Sequence, residues 1–186
     1  MVSKATEHKP VILVVEDEQI VALDLSRTLE SLGYVVLPHV DKGEEALEEL
    51  ETKRIDLILL DIKLKGQMDG IETARHIRRR SSIPFIFLST FSDEETLSRA
   101  KRTEPYGYIT KSSHQNDLHS MIEMALYRHQ MELQARKNEE MLSITLKSIS
   151  DAVIGATLDG TIMSWNKGAE QIFGFTEEEV HGKNLL

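Results

Sequence analysis

Short apolar runs alternate with amphipathic segments from residue 11 to residue 111, the rhythm of strands and helices around a parallel sheet. Val11–Val15 is continuously apolar, as a strand buried on both faces requires. Val21, Leu25, Leu29 and Leu32 then recur at helical spacing, and Gly33 supplies a stop. Tyr34–Leu37 predicts the second strand. Asp41 with Glu44 has capping-box spacing and opens a helix through Leu50. Leu57–Leu60 predicts the third strand, and Ile71, Ala74 and Ile77 mark the helix after it. Phe85–Leu88 predicts the fourth. Ser92 with Glu95 is a second capping-box pair, opening a helix to about Arg102, and Tyr106–Thr110 predicts the fifth strand. Five strands with intervening helices make an α/β, doubly wound domain of three layers.

The pattern changes after Ser113. From His114 to Ile149 there is no glycine or proline, and a helix of that length would span ~50 Å, too long for one docking helix of a small domain. Leu118, Met121, Ile122, Ala125 and Leu126 can cover the sheet. Beyond them the apolar positions thin to Met131, Leu133, Met141, Leu142 and Leu146, a poor heptad interrupted from Arg136 to Glu140. Two readings stay open: a solvated connector whose helix frays after about Gln134, or a marginal coiled coil that forms a weak parallel homodimer. From Ser150 a third pattern begins. Ala152–Thr157 and Thr161–Trp165 predict a hairpin around Asp159-Gly160, followed by a short helix through Phe173 and another capped by Thr176 with Glu179. The expected organisation is a disordered 1–9, a domain over 10–127, a helical connector over 128–149, and a fragment over 150–186 too short for its own core.

Charge narrows the function classes. Lys and Arg total 22 against 31 Asp and Glu, a net charge of −9, which argues against a nucleic-acid surface. No cysteine is present, so thiolate metal sites and cysteine nucleophiles are excluded. Neither a signal peptide nor a membrane-spanning run is legible, and the expectation is a cytoplasmic protein with no membrane association.

The chemistry lies in where polar residues fall relative to the strands. Glu16 and Asp17 follow the first strand, Asp61 ends the third, Ser89 the fourth, and Lys111 follows the fifth. In an open parallel sheet those ends share one edge, where ligands bind. Three carboxylates gathered there repel one another unless a cation is present, and hard oxygen ligands without His or Cys suit Mg²⁺. A phosphoryl group on Asp61 would have its oxygens neutralised by Mg²⁺, by the Lys111 ammonium, and by the Ser89 hydroxyl with nearby backbone amides.

Val-Val-Glu16-Asp17-Glu, Leu-Leu-Asp61-Ile-Lys-Leu, Phe-Leu-Ser89-Thr and Gly107-Tyr108-Ile-Thr-Lys111 together resemble the signature of two-component receiver domains, over about residues 10–127. The resemblance implies a flavodoxin-like sheet of order 2-1-3-4-5, with Asp61 as the acceptor of a phosphoryl group from a histidine kinase or phosphotransfer protein. It implies Asp17 as a direct Mg²⁺ ligand, Glu16 acting mainly through water, and the Lys63 carbonyl completing the set with Asp61. Ser89 and Tyr108 resemble the family's paired switch residues, the aromatic ring turning inward on phosphorylation, and Lys111 resembles its phosphate-contacting lysine. Two positions depart from the family pattern. Ser112 stands where proline in a cis linkage is usual, so a trans bond is expected, and Glu16 replaces the commoner Asp. Phe91 and Lys63 flank the site where the family tunes dephosphorylation. Residues 151–183 resemble the first part of a PAS sensor domain, with Trp165 and Phe173 as core residues.

Other classes compete. An aspartate-nucleophile phosphatase of related fold would need a second aspartate two residues after the first, where Lys63 stands. A flavin- or nucleotide-binding module would meet repulsion from Glu16-Asp17-Glu18. A degenerate receiver kept for dimerisation is a further alternative. His76, His119 and His129 are expected on helix surfaces.

Overall fold

The computed structural model describes residues 9–90, 94–148 and 151–185. The first part alternates β1 (Val11–Val15), α1 (Gln19–Ser31), β2 (Val35–Val36), α2 (Gly43–Thr52), β3 (Leu57–Asp61), α3 (Gly70–Arg80), β4 (Phe85–Ser89), α4 (Glu94–Lys101) and β5 (Gly107–Thr110). The long α5 (Gln115–Ser148) follows, then β6 (Ile154–Ala156), β7 (Ile162–Trp165), α6 (Lys167–Phe173) and α7 (Glu177–Val180). By its contacts the chain divides into two compact units, after His129.

In the first unit five parallel strands run in the order β2-β1-β3-β4-β5. The two-residue alternation of each strand sorts its side chains between two cores. Leu13, Val15, Ile58, Leu60, Phe85 and Phe87 meet α2, α3 and α4 through Ala46, Ile71, Ala74, Ile77 and Ala100. Ile12, Val14, Leu57, Leu59, Ile86 and Leu88 meet α1 and the start of α5 through Leu29, Leu118, Ile122 and Ala125. Complete burial of such a residue contributes about 1.5–3 kcal/mol, so the central strands anchor the sheet edge that carries the polar residues.

The structure corrects the sequence reading at several points. Tyr34 precedes a β2 of only two residues, because the pairing with β1 ends where Leu37 N–H has met the Ile12 carbonyl. The Asp41–Glu44 box does not form: α2 starts at Gly43, Lys42 is its N-cap without a side-chain cap, and Lys42 pairs with Glu45 at 3.2 Å. Ser92, Phe91 and Ile149 lie outside the described residues. His119 and His129 are half-buried partners of tyrosines rather than free helix-surface groups. Tyr34 Oη donates to Glu123 Oε1 at 2.6 Å and lies 2.9 Å from His119 Nδ1, within hydrogen-bond distance. Burial, with that bond to Glu123, raises the Tyr34 pKa. Tyr106 Oη lies 3.1 Å from His129 Nδ1, with Arg128 stacked over its ring.

In the second unit β6 and β7 pair antiparallel, and Gly160 takes a φ of +86° in the connecting turn, a conformation that favours glycine. Ile162, Trp165, Ala169 and Val180 pack together, and Trp165 Nε1 donates to the Phe175 carbonyl at 2.9 Å. The Thr176–Glu179 capping box is formed. On α5 the apolar side chains of Met131, Met141, Leu142 and Ile144 are all more than half exposed. Among the described residues no helix is long and apolar enough to cross a membrane.

Candidate functional site

Each polar residue reaches the sheet edge for a local reason. Glu16 leaves β1 with its N–H bonded to the Val40 carbonyl at 3.0 Å, and the chain turns back so that Glu18 N–H donates to Glu16 Oε1 at 3.1 Å. Asp61 is the last residue of β3, paired across to Leu88. Ser89 ends β4, and its carbonyl accepts the Lys111 N–H at 3.1 Å, which sets Lys111 beside it. Thr110 and Ser113 close the loop by a backbone bond of 2.9 Å and a hydroxyl contact of 2.7 Å. Among the described residues no peptide bond is cis, including the one before Ser112.

Glu16, Asp17 and Asp61 each bring a carboxylate oxygen within 4.8 Å of the others. Lys111 Nζ sits among them, 2.8 Å from Glu16 Oε1, 3.1 Å from Asp61 Oδ2 and 3.6 Å from Glu18 Oε1. Burial works against the Lys111 charge, but its bonds to Glu16 and Asp61 outweigh it and raise the pKa. Burial raises the Glu16 pKa, with the Lys111 bond opposing. Four carboxylates, those of Glu16, Asp17, Glu18 and Asp61, thus face two ammonium groups, Lys111 and Lys65, the latter 2.9 Å from Asp17 Oδ2. Glu16 Oε2 and Asp17 Oδ2 are enclosed, and the partners that reach them are ammonium groups: Lys111 Nζ at 2.7 Å from Glu16 Oε2 and Lys65 Nζ at 2.9 Å from Asp17 Oδ2. A donor set of oxygens with residual negative charge fits a hard divalent cation. Lys63 is exposed, and its side chain takes no part in this cluster.

Two contributors carried no signal that sequence reasoning used. Lys65 reaches Asp17 from the loop between β3 and α3. Gly70 starts α3 directly behind Asp61: a Cβ there would overlap the Asp61 carbonyl oxygen and lie 2.8 Å from its carbon. The Asp69 side chain caps the same helix at Glu72 N–H, 2.7 Å away, and is held by Arg99 at 2.9 Å.

Tyr108 already packs on Phe87, ring centroids 5.8 Å apart, so any inward turn begins from a half-buried position. Its hydroxyl is enclosed without a hydrogen-bond partner among the described residues, and burial raises its pKa. An unpaired buried hydroxyl costs free energy. Tyr108→Phe is therefore expected to raise stability by about 1 kcal/mol in urea denaturation. A loss of stability would mean that the hydroxyl is satisfied.

Comparison with known proteins places this geometry. The family model of the response regulator receiver domain matches residues 12–123, and that of the PAS fold matches residues 140–186. The transcriptional regulatory protein PdtaR of Mycobacterium tuberculosis is 32% identical over 117 residues, covering 63% of this chain and 57% of that protein. The alkaline phosphatase synthesis transcriptional regulatory protein PhoP of Bacillus subtilis is 34% identical over 134 residues, covering 70% and 55%. The chain spans about half the length of the curated relatives it matches. Among solved structures, the signal receiver domain of a modulated diguanylate cyclase from Desulfovibrio desulfuricans is 42% identical with a TM-score of 0.65, covering 67% of this chain and 99% of that one. The N-terminal domain of a response regulator/sensory box/GGDEF three-domain protein from Carboxydothermus hydrogenoformans is 33% identical with a TM-score of 0.62, covering 66% and 98%. A sheet order, a polar edge and a family match that all fall on the same residues lead to one conclusion: the chain belongs to the response regulator receiver domain family.

Proposed function

We propose that Asp61 accepts a phosphoryl group from a histidine kinase or phosphotransfer protein in a cytoplasmic two-component phosphorelay. The observation that carries this reading is Lys111 Nζ bridging Asp61 and Glu16 beside a third carboxylate. An Asp61 oxygen attacks phosphorus, the new P–O bond forms, and the donor's leaving nitrogen takes the electron pair of the broken P–N bond. Glu16, Asp17 and Asp61, with the Lys63 carbonyl, would hold Mg²⁺, which when bound neutralises charge on the transferring phosphoryl group. Lys111 Nζ, 3.1 Å from Asp61 Oδ2, would meet a second phosphoryl oxygen, and the Ser89 hydroxyl the third. Ser89 and Tyr108 are the switch. The phosphatase reading is not favoured, because Lys63 cannot act as the acid/base that it needs. Incubation with acetyl phosphate and Mg²⁺ tests the proposal: intact mass should rise by one base-labile phosphoryl group. No adduct under those conditions would overturn it.

The second part of the proposal concerns assembly, with the receiver at 10–127 signalling through a connector at 128–149 to the PAS segment. Met131, Met141 and Leu142 are exposed on α5, and a helix depends on burial of an apolar face for most of its stability. A weak parallel homodimer through α5 satisfies them, in preference to a monomer. Sedimentation equilibrium over a concentration series should show a rising mass, steeper with a phosphate mimic. A monomer throughout removes the dimer.

A further inference from the structure

Among the described residues, Lys65 is a cation at the site to which the proposed phosphoryl transfer gives no role. Its side chain is 83% exposed, yet Nζ folds back to 2.9 Å from Asp17 Oδ2, on a side chain only 8% exposed. The pair is thus one-sided: a solvated stem delivers charge to an enclosed carboxylate, where screening is weaker than between two surface groups. Lys111 is different in kind, because it is 11% exposed and held by both Glu16 and Asp61. If either ammonium leaves to admit another cation, it is Lys65, which has a single carboxylate to release. Its exposed stem withdraws into water without uncovering core.

We infer that Lys65 is a built-in competitor for the divalent-cation site, occupying Asp17 until a metal displaces it and so setting the metal affinity. The inference rests on the reading of Glu16, Asp17 and Asp61 as the metal site. Calorimetric titration of the full chain with Mg²⁺ tests it in wild type, Lys65→Gln and Lys65→Arg. Lys65→Gln should bind roughly two- to fivefold tighter, and Lys65→Arg close to wild type, since the displaced pair is worth that ratio. A second readout separates displacement from a diffuse charge effect. The ε-carbon NMR resonance of Lys65 should move toward that of freely solvated lysines as Mg²⁺ saturates the wild type. Equal affinities for wild type and Lys65→Gln, or an unmoved ε resonance at saturation, would overturn the competitor while leaving the metal site standing. No Mg²⁺ binding by any of the three proteins would overturn the metal site and the competitor together.

Discussion

Replacing Asp61 by asparagine is expected to abolish phosphorylation by acetyl phosphate, with no phosphoryl adduct in the intact mass. The amide keeps the shape of the side chain but carries no negative charge, and its nitrogen lone pair is delocalised, so the nucleophile is lost. It also removes one of the three carboxylates that gather within 4.8 Å, which lowers metal affinity at the same site. Because Asp61 is 4% exposed and faces Lys111 at 3.1 Å, the variant relieves carboxylate repulsion as well as weakening an ion pair. Its fold is therefore expected to survive, and urea denaturation serves as the control. An undiminished adduct would move the acceptor to another residue.

Gly70→Val is expected to destabilise the fold by about 3 kcal/mol in the same denaturation experiment. The added Cβ meets backbone, with the Asp61 carbonyl carbon at 2.8 Å and Ile62 Cα at 3.0 Å, and neither is the yielding end of a flexible side chain. Gly70 N–H also donates to the Ile62 carbonyl at 3.0 Å, so the helix start cannot back away without losing that bond. The displaced atoms are those that position the Asp61 carboxylate, and phosphorylation should slow in whatever fraction folds. Gly33 makes the useful contrast: its φ is +94° but nothing lies within 4 Å of a Cβ. Gly33→Ala therefore costs only the backbone penalty, about 1 kcal/mol. Equal losses at the two positions would refute the steric account.

The strands and the polar edge were legible because both follow from local pattern. Val11–Val15, Leu57–Leu60 and Phe85–Leu88 announce buried strands by apolar continuity, and a parallel sheet brings the residues after them to one edge. What stayed hidden depends on partners remote in the chain. Tyr34 and His119 are 85 residues apart, and nothing periodic in either neighbourhood announces the bond. Lys65 reads as one more exposed loop lysine until the β1–α1 turn is seen beneath it. The Asp41–Glu44 spacing was a true capping-box pattern, but one residue out of step with the helix, whose start is set by Gly43 packing on Thr73. Local chemistry proposes a cap, and tertiary contact chooses the register.

The two tyrosine bonds to α5 have a mechanical consequence. Tyr34 holds the helix at His119 and Tyr106 holds it at His129, ten residues farther on, or ~15 Å along the axis. Tyr106 stands immediately before β5, the strand that carries Tyr108. Sliding or rotating α5 would strain these bonds, worth about 1 kcal/mol each, and would also drag Ile122 and Ala125, buried between the two histidines, across the sheet. The start of α5 is thus clamped to the sheet at two points with a buried apolar seam between them, and the second clamp is tied to the residue that opens β5.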